Sequence, residues 1–329
     1  MDEYILGIDV SKDTLDVVLR DQGHSQHQVF SNNTVGYGRL SRWLIAQKTR
    51  TVHACLEATG QYGEGVAEYL YGAGHAVSVV NPVRIKRYGE SKLHRNKTDK
   101  ADAALIAEFC FKENPPLWKP LPDSLKQLRQ MVRRLDDLQC TYQQERNRLT
   151  SGVDNAWVVA DLQGHLQELR QRIQALKTAI QQFIAADPEL KHQADLLDSI
   201  PGIGTLTAAR LLAEIGEITS FKDAPQLAAY AGLNPKGARS GSSVRKKTRI
   251  SKEGRAFIRY ILYMPAIVAR KHNPIIRDFC ARLAQRNLPE MAIVAAAMRK
   301  LLHLVFGVLK NNAPYNPNIL KERVLALDF

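Results

Sequence analysis

Residues 4–20, YILGIDVSKDTLDVVLR, determine the fold of the N-terminal part of this chain. Two apolar runs, Tyr4–Val10 and Thr14–Arg20, are separated by the polar turn Ser11-Lys12-Asp13, which is the pattern of a β-hairpin. Asp9 lies at the end of the first run, and a charge that continues a buried strand is costly unless it is paired or binds a metal. This stretch therefore predicts a sheet and a functional carboxylate at the end of its first strand.

Strands and helices alternate after this hairpin. The hydrophobic spacing predicts strands at Gln26–Phe30, Val52–Leu56 and Ala76–Val80 and helices at Thr34–Gln47, Tyr62–Tyr71 and Asp99–Phe111, with a chain break at Asn81-Pro82. The resulting order, βββαβαβα, is that of an RNase H-like fold. We therefore predict an N-terminal mixed-sheet domain over residues 1–120.

Residues 121–190 have a different pattern. Apolar side chains recur at helical spacing, which predicts two long amphipathic helices broken near Ser151-Gly152. The second helix keeps a heptad seam, which either a coiled coil with a partner chain or packing on its own chain would explain. We predict a central long-helix, coiled-coil segment here.

Residues 191–329 are predicted to form a mostly helical domain. Helices extend to about Lys310, interrupted by a Gly/Ser-rich basic loop around 236–249. Pro201-Gly202-Ile203-Gly204 precedes a helix at Thr205–Ile215 and resembles the turn of a helix-hairpin-helix element. The backbone N–H groups of such a turn, here at Gly202 and Gly204, grip a phosphate; a plain tight turn is the alternative.

The chain is strongly basic. Lys and Arg number 46 against 33 Asp and Glu, a formal net charge of +13 in 329 residues, which favours a polyanionic partner such as nucleic acid. The apolar stretch Met291–Val308 contains Arg299, Lys300 and His303, so a buried helix is expected and not a membrane span. The four cysteines are scattered, and no signal peptide is evident, so we expect reduced thiols and a cytoplasmic location.

Carboxylates from separate elements form the first candidate site. Asp9 and Glu57 end apolar strands, and Asp99 and Asp102 share one face of a helix. Oxygen ligands of this kind suit Mg²⁺ or Mn²⁺, and two such ions about 3.5–4 Å apart assist phosphodiester cleavage. Acidic residues are also common at strand ends and helix starts, where Asp99 would only cap a helix.

Two basic stretches form the second candidate site. The first leads into the acidic pair and comprises Arg84, Lys86, Arg87, Lys92, Arg95, Lys97 and Lys100; the second comprises Lys236, Arg239, Arg245, Lys246, Lys247, Arg249, Lys252, Arg255 and Arg259. Either stretch suits a phosphate backbone, and the first equally suits a solvated helix face. Within the second, Ser240 lies among small residues and arginines, which would serve a phosphate-binding loop or a serine nucleophile.

The motifs taken together resemble the DEDD transposases, the group that contains the Piv-type invertases and the bridge-RNA-guided insertion-sequence recombinases. The motifs that carry this resemblance are Gly7-Ile8-Asp9, Glu57-Ala58-Thr59-Gly60, Asn81-Pro82, Arg95-Asn96-Lys97-Thr98-Asp99 with Asp102, Ser199–Gly204, Ala231–Pro235 and Ser240–Arg245. They occur in the family's order and extend over nearly the whole chain.

The resemblance implies a function. Asp9, Glu57, Asp99 and Asp102 would be RuvC-like metal ligands for Mg²⁺ or Mn²⁺, and Ser240 would form a covalent phosphoserine link to DNA. The partners would be target and donor duplex DNA, a structured noncoding guide RNA, and further copies of the chain in a dimer or tetramer. No nucleotide cofactor is expected, since no P-loop is present.

Three other classes of protein fit parts of the sequence. A RuvC-like nuclease or junction resolvase would need the carboxylates but not Ser240. A nucleic-acid-binding protein with an inactive catalytic domain would need neither. An actin-like ATPase would use Gly7-Ile8-Asp9 for phosphate and metal, although the basic charge argues against it.

Overall fold

The computed structural model describes residues 4–21, 24–49, 51–58, 60–92, 98–240 and 244–318, with the backbone alone at 61, 238–240 and 244–248. The chain divides into two compact units, residues 1–120 and residues 121–329. Each unit has its own hydrophobic core.

The first unit is built on a mixed five-stranded sheet. Its strands are β1 (Tyr4–Val10), β2 (Thr14–Asp21), β3 (His24–Ser31), β4 (Val52–Glu57) and β5 (Ala76–Val80), arranged in the order β3-β2-β1-β4-β5. The first three strands are antiparallel neighbours, whereas β1, β4 and β5 run parallel. This is the RNase H-like topology that the order of elements predicts, and the hairpin at Ser11-Lys12-Asp13 is confirmed.

Helices cover both faces of the sheet. They are α1 (Thr34–Ala46), α2 (Glu64–Gly72), α3 (Pro82–Ser91) and α4 (Asp99–Glu113). Because side chains alternate along a strand, Leu6 of β1 faces α1 and α2, while Ile5 faces α3 and α4. Both side chains are almost completely buried, and each such burial contributes roughly 1.5–3 kcal/mol.

The chain break predicted at Asn81-Pro82 is the start of α3. The Asn81 side chain caps the helix by accepting a hydrogen bond from the Val83 N–H at 2.9 Å. Pro82 occupies the first turn, where its missing N–H has no intrahelical partner to lose. Helix α3 carries Arg84, Lys86 and Arg87 of the first basic stretch, as the alternative of a solvated helix face for that stretch predicts.

The second unit is mainly helical. Its helices are α5 (Asp123–Thr150), α6 (Ala156–Ala186), α7 (Pro188–Asp198), α8 (Thr205–Ile215), α9 (Ala224–Tyr230), α10 (Ala256–His272), α11 (Pro274–Gln285) and α12 (Glu290–Asn311). One hydrophobic core joins them and includes residues of both long helices, α5 and α6. Helix α7, the turn at Pro201–Gly204 and α8 form the helix-hairpin-helix-like element.

The seam of α6 packs on its own chain. Leu162, Leu166 and Leu169 are buried, and α5 and α6 pair extensively after the break at Ser151-Gly152. Of the two explanations for the heptad pattern, packing within the chain accounts for this stripe.

Two paired strands occur where a Gly/Ser-rich basic loop around 236–249 was predicted. Strands β6 (Pro235–Ser240) and β7 (Val244–Ile250) are antiparallel, with a register irregularity between Lys236 and Ala238. The sequence of this segment is dominated by lysine and arginine, so it lacks the alternating apolar pattern by which strands are recognised.

Helix α12 is the one helix among the described residues that is long and apolar enough to cross a membrane. Ile293, Val294, Ala297, Leu301 and Leu302 are nevertheless buried in the core of the second unit. The helix is therefore a core helix, as its internal charges predict. The four cysteines all lie among the described residues, and they form no disulfide there.

Candidate active site and nucleic-acid interface

Asp9 and Glu57 lie at neighbouring strand ends. The parallel register of β1 and β4 pairs Ile8 with Leu56, and Asp9 and Glu57 are the next residues on their strands. Asp9 is half-buried and lies opposite Asp16 of β2. The edge of the sheet where β1 and β4 end is therefore acidic.

Helix α4 brings two further carboxylates to this edge. Asp99 and Asp102 lie in its first turn, where the helix dipole favours negative charge. The helix is capped by Thr98, whose hydroxyl accepts a hydrogen bond from the Ala101 N–H at 3.2 Å. Because Thr98 caps the helix, a capping role does not account for the presence of Asp99 at this position.

The carboxylates of Asp9, Asp99 and Asp102 interact electrostatically. Burial raises the pKa of Asp9 above its ordinary value, and the charges of Asp102, Asp99 and Asp16 raise it further, in that order of importance. A set of carboxylates that repel one another in this way is an environment that favours a bound cation.

These residues fit a divalent ion by donor chemistry and by charge, since hard cations take carboxylate oxygens. Within the ranges that the structure describes, no group of three or more His, Cys, Asp or Glu side chains stands close enough to hold a metal ion. The side chains are thus on adjacent elements, but a complete set of ligands is not assembled in this conformation.

The first basic stretch is only partly available for a ligand. Arg84, Lys86 and Arg87 are exposed on α3, and the Arg84 guanidinium lies over the Phe109 ring at 5.4 Å. Lys92 forms an ion pair with Glu108 at 2.9 Å, so a phosphate would have to compete for it. Arg95 and Lys97 lie outside the described residues.

A groove that no sequence motif indicates lies beside α4. This cavity of about 430 Å³ is lined by Arg20 and His24 of the β2–β3 ribbon and by Thr98 and Lys100 at the start of the helix. The two segments are about 80 positions apart in the sequence. They share one surface because α4 packs against β2 in the folded unit.

The turn before α8 has two distinct glycines. Gly202 has φ +108°, and a β-carbon there would lie 2.7 Å from the Ala269 β-carbon, so both the conformation and the close packing require glycine. Gly204 precedes α8, is exposed, and has open space around it. The backbone at Gly204 is therefore the accessible part of the predicted phosphate grip.

Ser240 is the last residue of β6. Its backbone pairs with Val244, and the adjacent register pair is Arg239 with Arg245, followed by Ala238 with Lys246. The side chains of Arg239, Ser240, Arg245, Lys246 and Lys247 and the whole of residues 241–243 lie outside the described part of the chain. The topology itself brings the two arginine positions together across the hairpin.

The base of this hairpin is anchored in the helical core. The Ser251 N–H donates to the Asn234 carbonyl at 2.8 Å, and the Lys252 N–H donates to the Gly232 carbonyl at 3.1 Å. Lys236 forms an ion pair with Glu253 at 2.7 Å, whereas Arg249 is exposed. The hairpin thus projects from a fixed base.

Two family models match the chain. Residues 6–158 match the DEDD transposase model of the IS110 group, and residues 194–281 match the model described as the transposase IS116/IS110/IS902 family. The first match includes the acidic edge of the sheet, and the second includes the helix-hairpin-helix-like element and the β6–β7 hairpin.

Relatives match over the whole length. The chain is 36% identical over 322 residues to the pilin gene-inverting protein of Moraxella bovis, which spans 97% of this chain and 99% of that protein. It is 21% identical over 334 residues to the transposase for insertion sequence element IS1111A of Coxiella burnetii, which spans 88% of each. A solved structure of T. thermophilus RuvC in complex with Holliday junction substrate matches with 15% identity and a TM-score of 0.25, over 34% of this chain and 96% of that one.

An RNase H-like unit joined to a helical transposase unit defines the class: this protein is a DNA recombinase of the transposase type. Within that class, the chain belongs to the IS116/IS110/IS902 family of DEDD transposases.

Proposed function

We propose that this recombinase cuts and rejoins the DNA of an insertion sequence through a covalent phosphoserine intermediate at Ser240, assisted by a metal bound at Asp9, Glu57, Asp99 and Asp102. The observation that carries the proposal is the register of β1 with β4, which places Asp9 and Glu57 at neighbouring strand ends, with Asp99 and Asp102 in the first turn of α4. The basic β6–β7 hairpin, in which Ser240 is the last residue of β6, would supply the nucleophile.

The four carboxylates would hold Mg²⁺ or Mn²⁺. Such an ion, when bound, supplies Lewis-acid activation of the scissile phosphate. Asp9 and Glu57 are fixed by strand ends, and Asp102 is fixed by the first turn of α4. These positions support a set of ligands drawn from three neighbouring elements of the first unit.

Ser240 would carry out the covalent step. Its hydroxyl oxygen attacks the phosphorus, the new Oγ–P bond forms, and the bond from phosphorus to the 3′ oxygen breaks. The serine loses a proton and the departing 3′ oxygen takes one up, so a 3′ hydroxyl is released. Strand exchange reverses this step on a new partner. Because one phosphoester bond replaces another, no ATP is required.

The basic hairpin supports this role for Ser240. The register pair of Arg239 and Arg245 adjoins the pair of Ser240 and Val244, and arginines near a transferring phosphoryl group stabilise its charge. The hairpin is also anchored at its base, through backbone hydrogen bonds from Ser251 and Lys252.

We further propose the partners that the family resemblance implies. These are target and donor duplex DNA, a structured guide RNA encoded by the element, and a homodimer or homotetramer in which the two units of different copies form a composite site. The formal charge of +13 supports a polyanionic partner. We also propose a cytoplasmic location, because the relatives are bacterial proteins and the DNA of a bacterium lies in its cytoplasm.

A second candidate function is a RuvC-like, metal-dependent nuclease or junction resolvase without serine chemistry. The carboxylates at the ends of β1 and β4 favour it, because they would suffice for hydrolysis by a metal-activated water. Ser240 is dispensable in this mechanism.

The deciding experiment expresses the gene within its native flanking DNA and measures the rejoined junction by amplification. Ser240→Ala is compared with wild type and with Ser220→Ala, a matched control whose hydroxyl is on a surface turn and bonds to the Glu217 carbonyl. We expect wild type and Ser220→Ala to form the junction and Ser240→Ala to form none. Equal junction formation by folded Ser240→Ala would overturn the serine mechanism in favour of the hydrolytic one.

A further inference from the structure

A buried carboxylate in the second unit is surrounded by arginines. Glu214, near the end of α8, has a side chain only 1% exposed. Its Oε1 accepts a hydrogen bond from Arg133 Nε at 3.1 Å, and its Oε2 accepts one from Arg255 Nη1 at 3.2 Å. Arg129 Nε lies 4.0 Å from Oε1 and donates to the Ala213 carbonyl at 2.8 Å. Residues from α5, α8 and the start of α10 thus meet at one carboxylate.

The positive charge of this cluster exceeds the negative charge. Three guanidiniums face one carboxylate, and the pKa of Arg129 is lowered chiefly by burial, with contributions from the charges of Arg255 and Arg133. The neighbouring ion pair of Arg210 with Asp136 is neutral within itself. This neutral pair leaves the excess positive charge of the cluster uncompensated. An anionic ligand would compensate it.

Two of the three arginines are accessible. The side chains of Arg133 and Arg255 are each 37% exposed, in contrast to the 12% of Arg129. Arg133 contacts Glu214 through Nε, which leaves its two Nη groups for another acceptor. A guanidinium held in this way by a buried carboxylate presents a fork that matches two phosphate oxygens.

The arginine pair lies at the base of the β6–β7 hairpin. The Arg255 N–H donates to the Tyr230 carbonyl at 2.8 Å, and its guanidinium lies over the Tyr230 ring at 5.4 Å. The preceding Gly254 packs so tightly that a β-carbon there would lie 2.4 Å from the same carbonyl. Arg255 is therefore held in place at the base of the β6–β7 hairpin, where the hairpin joins the helical core.

We infer that Arg133 and Arg255, held in place by Glu214, form a binding site for a backbone phosphodiester of DNA or RNA. Glu214 is a positioning residue, since it acts through the arginines. The inference rests on the proposed function in one respect: the strand bound here is the one that continues to Ser240.

Arginine footprinting tests the site on the unaltered protein. Phenylglyoxal, which modifies accessible arginines, is applied with and without a 30-bp duplex DNA and, separately, a 30-nucleotide RNA, and modified residues are mapped by mass spectrometry. We expect the duplex to protect Arg133 and Arg255 several-fold and to leave Arg172 unchanged, because Arg172 is an exposed arginine of α6 paired with Glu168. Protection by RNA alone identifies the guide strand as the source of the phosphate. Equal modification of Arg133 and Arg255 in all samples overturns the inference.

Salt-dependent binding separates a ligand contact from a structural role. Arg133→Gln should lower the slope of log affinity against log salt by about 0.9 on duplex DNA, or about 0.7 on a single strand, without the same change in Arg172→Gln. Arg133→Lys should restore most of the slope, and Arg255→Gln is the second variant if the first does not fold. A lowered melting temperature with an unchanged slope, or binding without salt dependence, contradicts the inference.

The two proposals fail separately. Protected arginines without junction formation would retain the phosphate site and reject the recombination chemistry. Junction formation with unprotected arginines would reject the phosphate site and retain the recombination chemistry.

Discussion

Gly7 of β1 and Ala103 of α4 are in direct backbone contact: a β-carbon built on Gly7 would lie 2.2 Å from the Ala103 carbonyl oxygen. The helix therefore packs directly on the strand because Gly7 has no side chain. Since Asp102 precedes Ala103 and Asp9 follows Gly7 by two positions, this close approach is what brings the carboxylates of the two elements near each other.

Gly7→Ala should be severely destabilising. The added methyl group would also lie 2.5 Å from the Ala107 backbone nitrogen, so α4 must move as a whole, at a cost of about 3 kcal/mol or more. Urea unfolding measures the loss. The control is Gly72→Ala, at the end of α2, where an added β-carbon would have no atom within 4 Å. Equal stability of the two variants would contradict the contact.

Asp9→Asn should stabilise the metal-free protein while it abolishes recombination. The pKa of Asp9 in the folded state is raised above its ordinary 3.8, so the folded state binds this proton more tightly than the unfolded state does. Wild type should therefore gain stability from this group as pH falls through the raised pKa, and Asp9→Asn should lack that gain. Melting temperatures from pH 4 to pH 8 measure the difference.

The same pair of proteins tests metal binding. Addition of Mg²⁺ or Mn²⁺ should raise the melting temperature of wild type, and chelation should reverse the rise, because a ligand that binds only the folded state stabilises it. Asp9→Asn should respond much less. An identical rise in both proteins would place the ion elsewhere.

Asp99→Asn should abolish chemistry and leave nucleic-acid binding largely intact. Thr98 caps α4, so removal of the Asp99 charge should not unravel the helix. Junction formation and binding to duplex DNA are measured side by side, with Asp123→Asn, in the first turn of α5 and highly exposed, as the control. A loss of binding equal to the loss of activity would make Asp99 structural.

Ser78→Ala should destabilise the first unit by about 1–3 kcal/mol. The Ser78 hydroxyl is fully buried; it lies 2.8 Å from His53 Nε2 and 3.0 Å from the Pro116 carbonyl, to which it donates. Its removal leaves buried polar groups without this partner. The control is Ser41→Ala, whose hydroxyl makes an exposed 3.3 Å contact with Tyr69. Matching unfolding free energies for the two variants would show that the network adds nothing.

The architecture of the first unit was predictable because β1, β4 and β5 are apolar and the turns are polar. Residues 4–20 predict the hairpin, and the later strands and helices follow by periodicity. Helix α3 was predicted only as an alternative for the first basic stretch, because Asn81-Pro82 is equally suited to a break and to a helix start. The β6–β7 hairpin was missed because its strands are stabilised by backbone pairing and carry few apolar residues.

Functional residues were predictable only where they share a local motif. Asp99 and Asp102 stand three apart on one helix, and Asp9 interrupts an apolar strand, so each is conspicuous in the sequence. Arg255 is part of the second basic stretch, but Arg133 and Glu214 lie tens of residues away from it on other elements, and no periodic pattern links the three. Their association depends on tertiary packing of α5, α8 and α10, which single-sequence reasoning does not provide.

The most direct test of the central claim is to map the covalent protein–DNA link. The protein is expressed with its native flanking DNA, recovered under denaturing conditions, digested with nuclease and protease, and analysed by mass spectrometry. We predict a nucleotide phosphate on Ser240, absent from Ser240→Ala and retained in Ser242→Ala and Ser243→Ala. An adduct on another residue, or recombination with no adduct at all, would contradict the phosphoserine mechanism.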